Sequence, residues 1–299
     1  MTLTLTEFVG AAGGGALGAA LGALGGFALL GAIVMIATLI SVAVPSSTLV
    51  ETLAFGPVFG PHVMFASGVA AATYAAYIRQ HDSARDITSP LIVYNKMSII
   101  GVGAAFGMLG QLLARMVGEI PAVHTSSGKE IAMTDSLAVS VVLTALIAAV
   151  LWARKPTTER QQWLPWQNSA PAVLTIGAVA GAVAGSIYLA LPEESRAMAG
   201  PFLYGVSAFS LLALVFGKAV PVTHHITLTA ALTAGVVAGH TSEPSLILLA
   251  AVGAGLLASV FAEVWARLML ERCRMHLDPP AAAIAMMATL LALLQLVIA

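Results

Sequence analysis

Two aspartates stand directly before runs of small and apolar residues: Asp135 before Ser136-Leu137-Ala138-Val139, and Asp278 before Pro279-Pro280-Ala281-Ala282. Each reads as a helix N-cap, whose carboxylate accepts from the first free backbone N–H groups. Pro279 at the first helical position fits the same start. A capping carboxylate that also faces a cavity binds a cation or a proton. A bare helix N-terminus draws an anion instead, but a carboxylate already satisfies that field. Histidines come next. His62 follows Gly60-Pro61, His224 and His225 open one apolar run, and His240 closes it. Imidazole titrates near neutral pH and relays protons, although a single interfacial histidine also serves as a polar cap. His224 and His225 point about 100° apart on a helix. The chain lacks HxxxH, ExxH and CxxC spacings, so neither a metal centre nor a bound cofactor is expected.

The remaining polar candidates are few. Asn95 and Lys96 lie about one turn into an apolar run, where lysine either snorkels to the interface or lines a path. Ser207 and the row Thr223, Thr227, Thr229 and Thr233 extend the candidate pathway, although threonine also bonds to its own helix. Glu263 and Arg267, four residues apart, read as a structural pair. No nucleophile–base constellation is visible, so the sequence does not read as an enzyme.

The elements that must hold these groups are membrane helices. The chain has 299 residues, 59% of them hydrophobic and 9% charged, with a mean hydropathy of +0.94. A soluble domain carries about 25% charged residues. Thirteen Lys and Arg against fourteen Asp and Glu leave no basic footprint for nucleic acid. Cys273 is alone, which excludes a disulfide framework. A spanning helix needs about 20 apolar residues. Suitable runs occupy residues 8–44, 57–78, 91–117, 135–153, 171–191, 201–217, 225–239, 246–270 and 280–299. The expected fold is all-α, a polytopic membrane helix bundle of about nine spans, with eight to ten as the range. The first run is too long for one crossing and must bend, protrude or break at its glycines. The 225–239 run is short enough to be re-entrant.

Basic residues gather around alternate loops: Arg79, Arg85, Arg154, Lys155, Arg160, Lys218, Arg267, Arg272 and Arg274. The other side holds Arg115, Lys129 and Arg196. With nine spans, the positive-inside rule places the N-terminus in the cytoplasm. No loop is long enough for a soluble domain, and the N-terminus has no signal-peptide layout. A prokaryotic inner membrane fits this composition.

Gly10, Gly14, Gly18, Gly22 and Gly26 recur every four residues, and Gly177, Gly181 and Gly185 do the same later. In lipid, helices associate through close backbone contact, which small residues permit. These stripes mark seams inside the protein or between copies, so a homo-oligomer is one expectation. They also open two halves of similar layout, residues 1–165 and 166–299. Gly60-Pro61-His62 resembles Gly205-Val206-Ser207, and Asp135 and its successors resemble Asp278 and its successors. The offsets are nearly equal, which suggests an internal repeat.

The second half carries a further pattern. The run Tyr204-Gly205-Val206-Ser207-Ala208-Phe209-Ser210 resembles the "FGASAVLLF" helix of the HPP-type integral membrane family. Pro221 and residues 223–231 loosely resemble its "QPRNVIGGHLISA" stretch. His276-Leu277-Asp278-Pro279-Pro280-Ala281-Ala282 resembles its "LHPPAGATA" signature, with Asp278 standing where that family has histidine. The resemblance implies membrane transport of a small inorganic ion such as nitrite.

The sequence therefore reads as a transporter or channel for a small solute, an inorganic ion or a proton-coupled anion, embedded in lipid. The alternative is a non-transporting scaffold or a subunit of a larger membrane complex. Asp278, Asp135, His62, His225, His224, Lys96, Asn95 and Ser207 are the expected pathway residues.

Overall fold

The long first apolar run breaks where glycine allows it. Helix α1 (Leu5–Leu21) starts from a capping box, with Thr4 and Glu7 bonding each other's backbone N–H groups. It ends at Gly22, whose φ of 80° lies in the left-handed region that glycine enters without strain. Helix α2 (Ala23–Ala43) then folds back. A Cβ on Gly26 would lie 3.6 Å from the Gly18 Cα, whereas residues eight apart in one helix are about 12 Å apart along its axis.

The computed structural model describes residues 3–124, 128, 130–153 and 168–298. After α1 and α2 come α3 (Met64–Tyr77), α4 (Met97–Gly118) and α5 (Ser136–Trp152). The second half supplies α6 (Ala170–Ala190), α7 (Ala199–Ser210), α8 (His224–Ala238), α9 (Pro244–Leu268) and α10 (Pro279–Ile298). One further turn, Leu212–Val215, continues α7. A two-residue hairpin, Val123–His124 with Glu130–Ile131, supplies the strands among the described residues. Among the described residues six segments are long and apolar enough to cross a membrane; Leu5–Leu21, Ser136–Trp152 and His224–Ala238 are apolar but shorter. Outward faces carry exposed Ile36, Leu39, Val179, Leu249 and Val297, which suit lipid and not water. The protein is a helical membrane bundle.

The repeat is five helices plus five. In the first half α1 packs on α3 and α4, α3 on α4 and α5, α4 on α5, and α2 on α3. In the second half α6 packs on α8 and α9, α8 on α9 and α10, α9 on α10, and α7 on α8. Across the halves, α2 meets α7 and α5 meets α10, as a two-fold relation between halves requires. The nine apolar runs read from sequence fall four before residue 165 and five after it, and the five-plus-five packing corrects that division. It also corrects one anchor: the Gly60-Pro61-His62 run leads into α3, whose counterpart is α8, while the Gly205-Val206-Ser207 run belongs to α7, the counterpart of α2.

The ends of the bundle follow from the loops. Leu24 N donates to Ile87 O at 2.8 Å, His276 N donates to Ala84 O at 3.4 Å, and Arg85 donates to Leu270 O. The α1–α2 turn, the α3–α4 loop and the α9–α10 loop therefore share one end. Glu7 pairs with Arg115 at the other. Because α1 and α2 are separate helices, the N-terminus sits opposite the basic loops. A nine-span count puts it on their side. Lys129, Arg154, Lys155 and Arg160 lie outside the described residues.

Glycine seams hold each half together. A Cβ on Gly107 would lie 2.8 Å from the Gly15 Cα, and one on Gly255 would lie 2.8 Å from the Gly181 Cα. Gly14 and Gly18 press on the backbones of Val58 and Met64, and Gly177, Gly181 and Gly185 press on α9. Gly10 and Gly26 abut the side chains of Val58 and Met64. The stripes thus face the protein's own chain. Between the halves, Gly31 and Gly205 bring α2 against α7.

Gly107→Leu is expected to cost at least about 3 kcal/mol, because backbone lies where the side chain would go. Gly13 has open space around its Cβ position, so Gly13→Ala should be neutral or stabilising by up to about 1 kcal/mol. Melting of the detergent-solubilised protein compares the two.

Candidate functional site

Helix starts converge on the middle of the bundle. At α5, Asp135 accepts from Ala138 N at 2.8 Å. At α10, Asp278 accepts from Ala281 N at 2.8 Å, and His276 Nε2 donates to its other oxygen at 3.1 Å. Both aspartates are N-caps, as their positions before small-residue runs imply. Helix α8 begins at His224, which lies between the rings of Phe27 at 4.8 Å and Tyr204 at 5.4 Å. Phe27 also meets Phe65 at 5.3 Å, and Tyr204 meets Phe55 at 5.5 Å. Offset and edge-on ring contacts of this kind add to plain burial.

Two cavities approach this cluster. The larger, about 380 Å³, is bounded by Ile87, Val220 and Pro221 from the end with the basic loops, and by Val173, Ile176, Ser259 and Glu263 on its flank. The smaller, about 140 Å³, is bounded by Phe55, Pro61, Asp135 and Leu137, in or next to the α2–α3 and α4–α5 connections of the opposite end, and by Tyr204 within α7. Phe27, Phe65, His224 and Asp278 border both.

The walls are acidic. Asp278 and Glu263 face the larger cavity, and Asp135 and Asp278 face the smaller. Among the described lining residues there is no lysine or arginine. The Nδ1 atoms of His224 and His225 are buried and have no hydrogen-bond partner among the described residues. No group of three His, Cys, Asp or Glu suited to a metal occurs among the described residues.

The structure sorts the sequence candidates. Asp278, Asp135, His224 and His225 come together at the cavities. His62 does not: its Nε2 donates to Gln111 Oε1 at 2.8 Å, inside the first half. Ser207 is tied to Thr223 at 3.1 Å and Thr227 at 3.3 Å. Thr229 and Thr233 donate to carbonyls of their own helix, so most of the threonine row serves α8. Asn95 and Lys96 are exposed at the start of α4. They sit outside the helix that the sequence reading placed them in, because the chain first makes a short turn over Leu91–Tyr94. His240 is exposed beyond α8. Glu263 faces the larger cavity and accepts from Asn168 N at 3.3 Å. Phe27, Phe65 and the site role of Tyr204 escape sequence reasoning, since an aromatic ring in an apolar helix carries no signal of its own. His276 was legible only as part of the signature-like run.

A polar turn fixes the mouth of the larger cavity. Asp86 accepts from Thr88 N at 2.8 Å, from Thr88 Oγ1 at 2.7 Å and from Ser89 Oγ at 2.5 Å, just before Ile87 bonds to α2. Partial burial raises its pKa, but these bonds outweigh that and hold the carboxyl at about 2.

The chain matches one family model twice, over residues 1–155 and 152–298: the Family of unknown function (DUF7973). The chain belongs to this family, and the double match agrees with the five-plus-five repeat. No curated protein and no solved structure matches it.

In a Cys273→Ser background, Val220→Cys should react with a membrane-impermeant thiol reagent from the basic-loop face, and Leu137→Cys from the opposite face. Mass tagging of sealed vesicles checks both. The depressed Asp86 pKa stabilises the folded state above the unfolded carboxylate value of about 3.9. That contribution is lost as pH falls through about 2. The melting temperature of the wild type should therefore drop between about pH 4 and pH 2 more steeply than that of Asp86→Asn.

Proposed function

We propose that this DUF7973 chain is a membrane transporter for a small solute, with Phe27, Phe65, His224 and Asp278 as the barrier between two access cavities. The observation that supports this is that two cavities, one lined by Ile87, Val220 and Pro221 and the other by Phe55, Pro61 and Asp135, share the same four residues. Repeated halves that enclose a central site between helix breaks are a common plan for alternating access. Five helices per half, an odd number, make the halves inverted with respect to each other if each helix crosses.

The wall chemistry supports a cation or a proton-coupled solute. An anion such as nitrite would meet carboxylates and no lysine or arginine among the described lining residues. The HPP-type resemblance falls on Tyr204, on the start of α8 and on Asp278, which are parts of this partition, and it supports transport. Its anion goes with a histidine that this chain replaces by Asp278. The membrane we infer is a prokaryotic inner membrane. With the basic loops in the cytoplasm, the N-terminus lies on the outer side, since α1 and α2 reverse the earlier count. The glycine stripes are engaged within the chain, so a homo-oligomer, if formed, uses another surface.

Solid-supported-membrane currents on reconstituted protein test the reading. Sodium, potassium, ammonium, nitrite, nitrate, bicarbonate, chloride and formate would be compared under a pH gradient. A cation- or proton-dependent current is expected, reduced at least about tenfold in Asp278→Asn, because an ionisable group buried in the membrane marks the pathway. Phe27→Ala should leak, since it opens the partition. Silence across the panel from folded, inserted protein would favour a scaffold or complex subunit instead.

A further inference from the structure

We propose that the larger cavity binds a small organic cation, an alkyl- or arylammonium whose charge faces Asp278 and whose body lies on the apolar wall. This deepens the transport reading by naming a substrate class for the same site, but its chemistry stands on the cavity alone. The volume, about 380 Å³, falls within the range of small-molecule sites, about 300–1,000 Å³. It is far larger than an inorganic cation needs. No group of three His, Cys, Asp or Glu suited to a metal ion occurs among the described residues.

The polar groups define the charge of the ligand. Each Asp278 oxygen takes one hydrogen bond, from His276 and from Ala281 N. A carboxylate oxygen has two acceptor sites, so both keep capacity for a donor. The Asp278 side chain is 13% exposed. Glu263 faces the same space. His224 and His225, 5% and 4% exposed, stand on the same wall. An anion meets no lysine or arginine among the described lining residues, and a neutral apolar solute leaves the Asp278 carboxylate unanswered.

The remaining surface defines the body. Val173, Ile176 and Val220 form an apolar flank, which suits hydrocarbon. Phe27 and Phe65 meet edge to face beside Asp278, and an aromatic face attracts an ammonium group.

The test uses the full-length protein in detergent, with phenethylammonium as probe and phenethyl alcohol as its neutral near-isostere. Calorimetry and thermal shift should show saturable binding of the ammonium, with the alcohol weaker by at least about tenfold, as expected where a charge is read. Asp278→Asn retains N-cap capacity and should weaken the ammonium by a similar factor, leaving the alcohol unchanged. Ala262→Phe fills the cavity without altering a carboxylate, and should abolish binding of both. It decides the matter if the Asp278 variant does not fold. Equal affinity for ammonium and alcohol would overturn the proposal. So would ammonium binding that survives Ala262→Phe, or formate binding with the ammonium silent. Flux in proteoliposomes separates the two readings. Ammonium binding without flux overturns transport and leaves the site standing. Flux of an inorganic ion with no ammonium binding overturns the site and leaves transport standing.

Discussion

Gly107 lies against Ala11 and Gly15, and Gly255 lies against Gly177 and Gly181, with no room for a methyl group in either seam. In lipid the apolar surface of a helix gains little by leaving its solvent, so close backbone contact supplies the attraction. Each half of the protein is clamped by such a seam, α1 on α4 and α6 on α9. The clamped helices carry the shorter ones. Helices α3 and α8, at 14 and 15 residues, cover only about 21–23 Å of the roughly 30 Å hydrocarbon layer. Before α3, the remaining depth holds buried non-helical chain, Gly60-Pro61-His62-Val63. Such backbone persists at membrane depth only where protein or a cavity surrounds it.

The two halves are built alike but differ at their centres. In the first, the region before α3 is filled: His62 bonds Gln111, and its ring lies where a Gly60 Cβ would be. In the second, the start of α8 borders open space, with His224 and His225 on its wall. The aromatic cluster of Phe27, Phe65 and Tyr204 draws on α2, α3 and α7, so both halves contribute to it. A shift between rigid halves would act first on this cluster.

Asp278 and Asp135 show how much of the site was readable. Their positions before small-residue runs identified them as caps, because an N-cap is a local matter of one side chain and the next three N–H groups. That they border one cavity with Tyr204 between α5 and α10 was not local. His62 had the same sequence credentials as His224, a histidine at the start of an apolar run. Only packing separated them: Gln111, 49 residues away, reaches Nε2 of His62, whereas His224 borders both cavities and His62 borders neither. Lys96 illustrates the opposite error: hydropathy counted the Leu91–Tyr94 turn as membrane helix and so pulled an exposed lysine inward.

By itself the sequence determined the class of the protein, its helical make-up, its repeat and its glycine seams. These follow from composition, run length and residue spacing, which act within one helix or between identical patterns. Tertiary structure decided the rest. Whether residues 8–44 form one helix or two depended on the single φ at Gly22 and on where α2 finds its partner, α7. That choice set which end of the bundle the start of α1 shares with the loops, and turned four plus five into five plus five. It also placed Phe27 on the cavities that Asp278 lines, a juxtaposition of residues remote in sequence that depends on how α1, α2 and the second half pack together.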